Sequence, residues 1–392
     1  MRKEKKMDHR IRVLMLVNWK VTRAKRTPEG IQPPDYVVPG EPYWFFRYMS
    51  PDFAVDVVDI SAPGWIEKLE KKARFYIWQT LRVLPRLNQY DLVVSHGMQS
   101  GIVLALWRRI FGRGRYCHIV FDIGAFNSGR RSGRALKLMR FASRSLDGVI
   151  YHTEIQREYY EKCHPWLLNK SQFIPFGTDA DFFRAVVPEQ EELAGEERNG
   201  TAGRKKPEQP YILSFGKIKR DWATLLKAYD GSRQELPLKI VGNVELCSEN
   251  PHVEILPAVP LSKLLDLIRG AAFCVVPLEA MPYSYGQMTL LQQMAMGKAV
   301  IAADVPSLSA YHEGDGVLWY QSGDTEDLAG KMDALADNPA YCALLGEKAA
   351  ELIRTAYNEE NMAGKIQRFL LKVLDLHGYG AEKADSKPQS SG

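Results

Sequence analysis

The sequence predicts an α/β protein made of two successive doubly wound domains, and three observations carry that expectation. Short β-rich runs alternate with helix-length segments in two separate series, a polar interruption divides the series, and the charge changes sign between them. The chain has 392 residues, 45% hydrophobic and 25% charged, which is ordinary globular composition but longer than one compact domain usually runs. Up to residue 180 there are 30 Lys and Arg against 17 Asp and Glu; beyond it there are 22 against 30, so a +13 half precedes a −8 half. Two bodies facing different partners are expected.

In the first series, strands are expected at 12–17, 54–60, 91–95, 118–122 and 148–152, with 171–175 leading into a turn-rich exit. Helices are expected at 43–49, 65–87, 101–111 and 135–146. Strands separated by helices require crossover connections, hence a parallel sheet. Residues 187–209 hold almost no apolar side chain and cluster charge, Gly and Pro, which is linker or exposed-loop composition. The second series then places strands at 211–215, 238–241, 253–256, 272–276, 299–302 and 316–319, and helices at 222–229, 261–268, 288–296 and 327–336. Two further helices, 341–357 and 361–376, close the chain. The expected organisation is a first domain over 1–180, a linker or exposed loop over 181–209 and a second domain over 210–360. A final helix over 361–377 is expected to pack back toward the first domain, and a disordered tail to cover 378–392.

Several classes are excluded. The apolar run at 13–17 stops at Asn18-Trp19-Lys20, far short of a signal-peptide core, and no other apolar run spans a bilayer. The expectation is a soluble or peripheral protein. Five cysteines, Cys117, Cys163, Cys247, Cys274 and Cys342, are odd in number, widely spaced and free of Cys-x-x-Cys pairing. That usage predicts a reducing, cytoplasmic compartment and no structural metal. No Gly-x-Gly-x-x-Gly follows any expected strand, which removes the main support for a nicotinamide dehydrogenase.

The stretch from Val275 to Asp304 carries the most chemistry: a buried strand, a polar loop with Gly286, a helix stopped at Gly297, and a new strand. Loops after strands of a parallel sheet lie at its carboxyl edge, where ligands bind. The amides of Gln287, Met288 and Thr289 open the helix and can hold an anion such as phosphate, with Gly286 letting it approach the backbone. Gln292 follows on the same helix face and can reach a sugar hydroxyl. On spacing alone, a strand–loop–helix unit that binds nothing fits equally well.

Leu291-Gln-Gln-Met-Ala-Met-Gly-Lys-Ala-Val-Ile-Ala-Ala-Asp304 resembles the retaining glycosyltransferases of family 4, where this segment reads like Leu-Glu-Ala-Met-Ala-x-Gly-Lys-Pro-Val-Ile. The likeness extends to Ile212–Ala228, Lys239-Ile-Val-Gly-Asn243, Phe173–Asp179 and Gly323–Ala329, covering the second half well and the first only in outline. It implies a GT-B fold, in which two Rossmann-like domains face a cleft, with the nucleotide sugar on the second and the acceptor on the first. The implied activity is metal-independent transfer of a sugar, with retention, to a lipid-linked, polysaccharide or other glycan acceptor. No separate cofactor is implied, only the nucleotide-sugar co-substrate. A catalytically degenerate GT-B subunit acting as a nucleotide-binding scaffold and a GT-B nucleotide-sugar epimerase are the alternatives.

The resemblance carries site residues over one by one. Lys217 and Arg220, in the loop opened by Gly216, match the cations that neutralise the departing diphosphate. A solvated charge cluster is the bland alternative. Gln292 stands where the family has a ribose-binding glutamate, and an amide can still bond a diol without charge assistance. The family's first glutamate has no clean counterpart: Tyr283 or Ser284 aligns there, Tyr285 follows, and Glu279 lies several residues earlier. Gly242 and Asn243 close the neighbouring loop. In the first domain the family's histidine is absent from Val120–Asn127, which leaves Asp122 and His96, each at a strand end, as candidates for sugar or acceptor contacts. Lys68, Lys71, Lys72, Arg74, Arg82 and Arg86 interleave with aromatic and aliphatic residues, and more arginines follow. Such a pattern suits an anionic membrane surface or the solvated side of a core-facing helix. No nucleic-acid motif accompanies it.

Overall fold

A computed structural model describes residues 10–28, 30–50, 53–73, 75–112, 114–124, 133–186, 209–217, 219–242 and 245–378. The chain divides into two compact units, one formed by residues 1–175 and 360–392 and the other by 176–359. The expected linker residues 187–208 and tail residues 379–392 lie outside the described residues, as do Arg74, Arg113, Arg130, Arg131 and Asn243. Residues 181–186, assigned to the linker from composition, instead lie in the helix Ala180–Val186, which Phe183 pins into the core of the second unit.

The first unit is built on β1 (Ile11–Leu16), β4 (Phe53–Val58), β5 (Leu92–His96), β6 (Cys117–Asp122), β7 (Gly148–Tyr151) and β8 (Ser171–Phe173), with β2 (Thr22–Arg23) and β3 (Tyr36–Val37) as a separate short pair. The sheet order is β4-β1-β5-β6-β7-β8, and every pairing is parallel. The central strands β5, β6 and β7 are buried at every position, as a sheet covered on both faces demands. That is why their central residues are apolar and the polar ones sit near the strand ends.

The second unit holds β9 (Tyr211–Phe215), β10 (Leu238–Val241), β11 (Val253–Leu256), β12 (Ala271–Val276), β13 (Val300–Asp304) and β14 (Leu318–Gln321). Their order, β11-β10-β9-β12-β13-β14, is again wholly parallel. The chain works outward from β9 and then returns to the other side at β12. The carboxyl ends of β9 and β12 therefore flank a switch point, where diverging connections leave room for a ligand. In the first unit the corresponding reversal separates β1 from β5.

Besides Ala180–Val186, the helices differ from the expectation in several places. The single helix expected over 65–87 is three pieces: Gly64–Ala73, Ile77–Val83 and a 3-10 segment Leu84–Gln89. The Tyr76 amide bonds to the Gln99 carbonyl, Glu70 accepts from the Trp78 amide at 2.6 Å, and Pro85 opens the tighter turn. Residues Trp44–Tyr48 form a 3-10 turn where a helix was expected. The helix Ile155–Cys163 is unanticipated, because its inner face is made of Gln156, Tyr159, Tyr160 and Cys163 instead of aliphatic residues. The final helix, Glu359–Leu376, belongs with the first unit beyond its opening residue. Phe369 approaches Gly148 there so closely that a Cβ on the glycine would lie 3.0 Å from the ring, and Gln367 accepts from the Ser50 amide.

The structural division sharpens the charge asymmetry. The first unit has 35 Lys and Arg against 20 Asp and Glu, net +15, and the second 17 against 27, net −10.

One core position breaks the pattern. Gln293, on the helix Gln287–Ala295, is fully buried, yet neither atom of its side-chain amide has a hydrogen-bond partner among the described residues. An unpaired buried amide costs about 1–3 kcal/mol. The near-isosteric Gln293→Met is therefore expected to raise the thermal unfolding midpoint, with a gain of about 1 kcal/mol. An unchanged or lower midpoint in calorimetry would show that the amide is satisfied in solution.

Candidate functional site

In the second unit the switch point is closed by two loops that bond to each other. After β9, Gly216 takes a backbone angle of φ +126°, open to glycine, and the chain turns back through Lys219 at φ +55°. Arg220 then forms a bridge with Leu278, the Asp221 amide bonds to the Pro277 carbonyl, and the Glu279 amide to the Lys219 carbonyl. The loop after β9 thus runs beside the loop after β12. Gly242, following β10, packs beneath them, and a Cβ there would lie 3.2 Å from the Gly216 carbonyl oxygen.

Arg220 joins the parts. Its Nε donates to the Phe215 carbonyl at 3.1 Å and its Nη2 to Thr289 Oγ1 at 2.8 Å. A Cβ on Gly216 would lie 2.3 Å from the guanidinium, so only glycine leaves Arg220 this path. Burial pulls the Arg220 pKa down to about 10, which leaves it protonated at neutral pH.

Thr289 belongs to the first turn of the helix Gln287–Ala295, whose N-cap is Gly286 in the left-handed region at φ +77°. As a glycine, that N-cap offers no side chain of its own to the turn. A Cβ on Gly286 would meet the Leu278 side chain at 2.5 Å, so a larger residue would strain the backbone and displace the loop. The first-turn amides carry the positive end of the helix dipole. Arg220 adds a full positive charge at the same turn. Two positive features at one helix turn suit an anion, and a phosphate is one that such amides accept.

The remaining sequence candidates in this unit divide clearly. Ser284 is buried, and its hydroxyl bonds to the Gln287 side-chain oxygen, bracing the loop before the helix. The Tyr283 and Tyr285 rings pack 5.5 Å apart, and burial raises the Tyr285 phenol. Gln292 is half-buried one turn beyond Thr289, and its side chain makes no hydrogen bond among the described residues. Met288 is 36% exposed at the helix start. Glu279 pairs with Lys219 at 3.4 Å, both side chains more than a third exposed, a contact that contributes little in water. Lys217 is exposed and forms no ion pair among the described residues. Arg220 is therefore the cation built into the switch point, and Lys217 lies on the rim of the same loop.

The first unit gathers different chemistry at its carboxyl edge. Asp122 ends β6 fully enclosed, accepting from the Tyr160 hydroxyl at 2.6 Å and the Gly124 amide at 2.9 Å. Its carboxylate is engaged in holding the sheet edge to the helix Ile155–Cys163. His96 ends β5, and its ring packs edge-on to Trp19 at 4.8 Å and tilted to Trp44 at 5.4 Å. Neither ring nitrogen has a hydrogen-bond partner outside its own residue among the described residues. Burial pulls the His96 pKa to about 3. His152, just past β7, went unnoticed in the sequence; its Nδ1 lies 2.7 Å from the Ile174 carbonyl, and burial brings its pKa to about 4. A histidine directly after an apolar strand was the available signal.

Among the described residues, one group could hold a metal by distance: Cys117, Asp147 and His377, with donor atoms within 4.8 Å of one another. Burial raises the Cys117 thiol to about 12, and Asp147 already faces the Arg108 guanidinium at 2.8 Å. A neutral thiol and a paired carboxylate are poor ligands, so the cluster reads as a buried ion pair that His377 covers at 3.2 Å.

Residues 209–338 match the family model described as Glycosyl transferases group 1, and that stretch contains the whole switch-point arrangement of the second unit. No curated protein matches the chain in sequence. Among solved structures, a sucrose-phosphate synthase from Thermosynechococcus elongatus gives a TM-score of 0.62 at 16% identity, covering 93% of this chain and 100% of that one. Anabaena HepE in complex with UDP and glucose gives 0.61 at 13% identity, covering 92% and 100%. The N-terminal domain of Candida albicans trehalose-6-phosphate phosphatase gives 0.62 at 9% identity, covering 95% and 98%. The likeness at these identities is one of fold: two Rossmann-like sheets of the GT-B kind.

The buried histidines predict a pH dependence of stability. His96 and His152 stay neutral in the folded chain, whereas an unfolded histidine takes up a proton below about pH 6.5. Their contribution is full above that value and is lost as pH falls toward the folded-state pKa. Between pH 7 and pH 5 each ring is expected to cost about 2 kcal/mol of stability. Urea unfolding should show this slope, reduced in His96→Gln; a pH-independent midpoint would mean the rings are already hydrated.

Proposed function

We propose that the protein is a glycosyltransferase whose second unit binds a nucleotide-sugar donor at the switch point between β9 and β12. The observation that carries this reading is the meeting of Arg220 with the glycine-opened helix turn that begins at Gln287. A nucleoside diphosphate leaving a sugar gains negative charge, and fixed donors already aimed at that charge lower the barrier. Arg220 and the Gln287 and Met288 amides would hold the diphosphate, Lys217 would add charge from the rim, and Gln292 would bond the ribose or sugar. With this cation and helix turn, departure of the diphosphate requires no metal. The family match over 209–338 supports the same assignment, and the complexes of Anabaena HepE with UDP and with UDP-glucose favour a uridine nucleotide.

Retention of configuration follows from the resemblance to family 4 and is part of the proposal. So are a lipid-linked, polysaccharide or other glycan acceptor bound by the first unit and a cytoplasmic location. Within that reading His96, neutral and enclosed by Trp19 and Trp44, suits an apolar or sugar-stacking wall better than proton transfer.

The donor class is tested by thermal shift with UDP-, GDP- and ADP-sugars: one base should stabilise the protein strongly and the others little. Arg220→Ala is expected to lower transfer, or slow donor hydrolysis, by about 10²–10³-fold. Gly216→Ala should reproduce much of that loss by displacing the guanidinium, while Lys217→Ala costs less. Gln292→Glu should bind donor at least as tightly. Unchanged turnover in Arg220→Ala would remove the diphosphate from this site.

A further inference from the structure

The first unit carries an apolar surface that its own fold does not cover. Ten of the thirteen large hydrophobic side chains that stand exposed among the described residues lie between Trp65 and Phe141. The densest group is at the ends of two helices that pack side by side, Met98–Phe111 and Arg134–Ser143. Ile110 and Phe111 are 58% and 67% exposed, the Trp107 ring lies tilted against Phe111 with centres 4.1 Å apart, and Leu138 and Phe141 are exposed on the neighbouring helix. The Arg109 guanidinium sits 5.3 Å from the Phe141 ring centre and so ties the two helix ends into one patch. A helix facing plain solvent would carry polar residues at these positions.

The stretch of sequence that carries the patch is one-sided in charge. From Phe75 to Leu146 the sequence has twelve Lys and Arg and two Asp and Glu, and one of the two acids, Asp122, is enclosed. Arg109, Lys137 and Arg140 are exposed beside the apolar residues and pair with no carboxylate among the described residues. The occupant must therefore be apolar and anionic together. A second copy of this chain docking through the same face would bring like charge against it, and a nucleic acid has no use for projecting Ile and Leu. No described helix is long and apolar enough to cross a membrane.

We propose that these helix ends form a docking face for an anionic phospholipid bilayer, with Trp107, Ile110, Phe111, Leu138 and Phe141 entering the headgroup boundary. Arg109, Lys137 and Arg140 then sit at the lipid phosphates. The proposal goes beyond the donor site, since the face lies wholly in the first unit and its test does not require transfer activity.

Flotation of the full chain is measured with vesicles of phosphatidylcholine alone and with about one-third phosphatidylglycerol. Binding is expected to the mixed vesicles, with little to the neutral ones, and to fall several-fold as salt rises beyond about 0.3 M. The charge variant Arg109→Glu/Lys137→Glu/Arg140→Glu and the apolar variant Ile110→Ser/Phe111→Ser should each lower partitioning by about tenfold or more. Both variants should keep the parental thermal midpoint and the same shift with donor. The milder Arg109→Gln/Lys137→Gln should show a smaller loss in the same direction. Absence of flotation with the mixed vesicles at low salt, or flotation undiminished in both the charge and apolar variants, would overturn the proposal. A concentration-dependent dimer abolished by Ile110→Ser/Phe111→Ser, without vesicle binding, would assign the face to a second copy instead.

Discussion

Much of the second unit's chemistry depends on one side chain folding back over one glycine. Arg220 can reach both the end of β9 and the first turn of the helix after β12 only because Gly216 leaves that volume empty. The two strands are neighbours whose connections leave in opposite directions, so their carboxyl ends would otherwise stand open. Arg220 spans that opening with a charge, and the Arg220–Leu278 bridge fixes the loops that carry it. The arrangement concentrates positive potential within a unit of net charge −10. Such a local inversion lets an acidic body present a place suited to an anion.

The first unit solves the same topological problem with different material. Its strand order also reverses, between β1 and β5, but the residues there are Trp19, Trp44 and a neutral His96. Positive charge in that unit lies outside, on the helices, interleaved with exposed aromatic and aliphatic side chains. The two units thus share a fold plan and differ in where they put charge. One keeps it at the sheet edge and the other on its outer helices.

Legibility in the sequence followed burial on both faces. Strands such as Ile11–Leu16 and Ala271–Val276 are largely apolar runs and were readable from composition alone. The helix Ile155–Cys163 was not, because Tyr160 and Gln156 bury a face through hydroxyl and amide contacts that no aliphatic period reveals. The break between Ala73 and Ile77 was hidden for a related reason: it depends on the Tyr76 amide finding Gln99, a residue distant in sequence. At the site, the Gly286 turn and the helix it opens were legible, since a glycine between a strand and a helix signals a special backbone angle. What each charged candidate does there was not legible. Lys217 and Arg220 read alike in the sequence, yet one is at the rim and the other is threaded between two loops.

By itself the sequence determined two series of parallel strands, a basic half and an acidic half, and a glycine-opened helix suited to an anion. These are properties of local pattern and composition, which need no knowledge of distant neighbours. Only the tertiary structure decided that Asp122 is spent on Tyr160, that Gly216 exists for Arg220, and that the apolar residues of two separate helices form one uncovered patch. Each of these depends on which remote segment comes within a few ångströms of a residue. That proximity is set by strand order and loop crossing, and a linear pattern does not contain it.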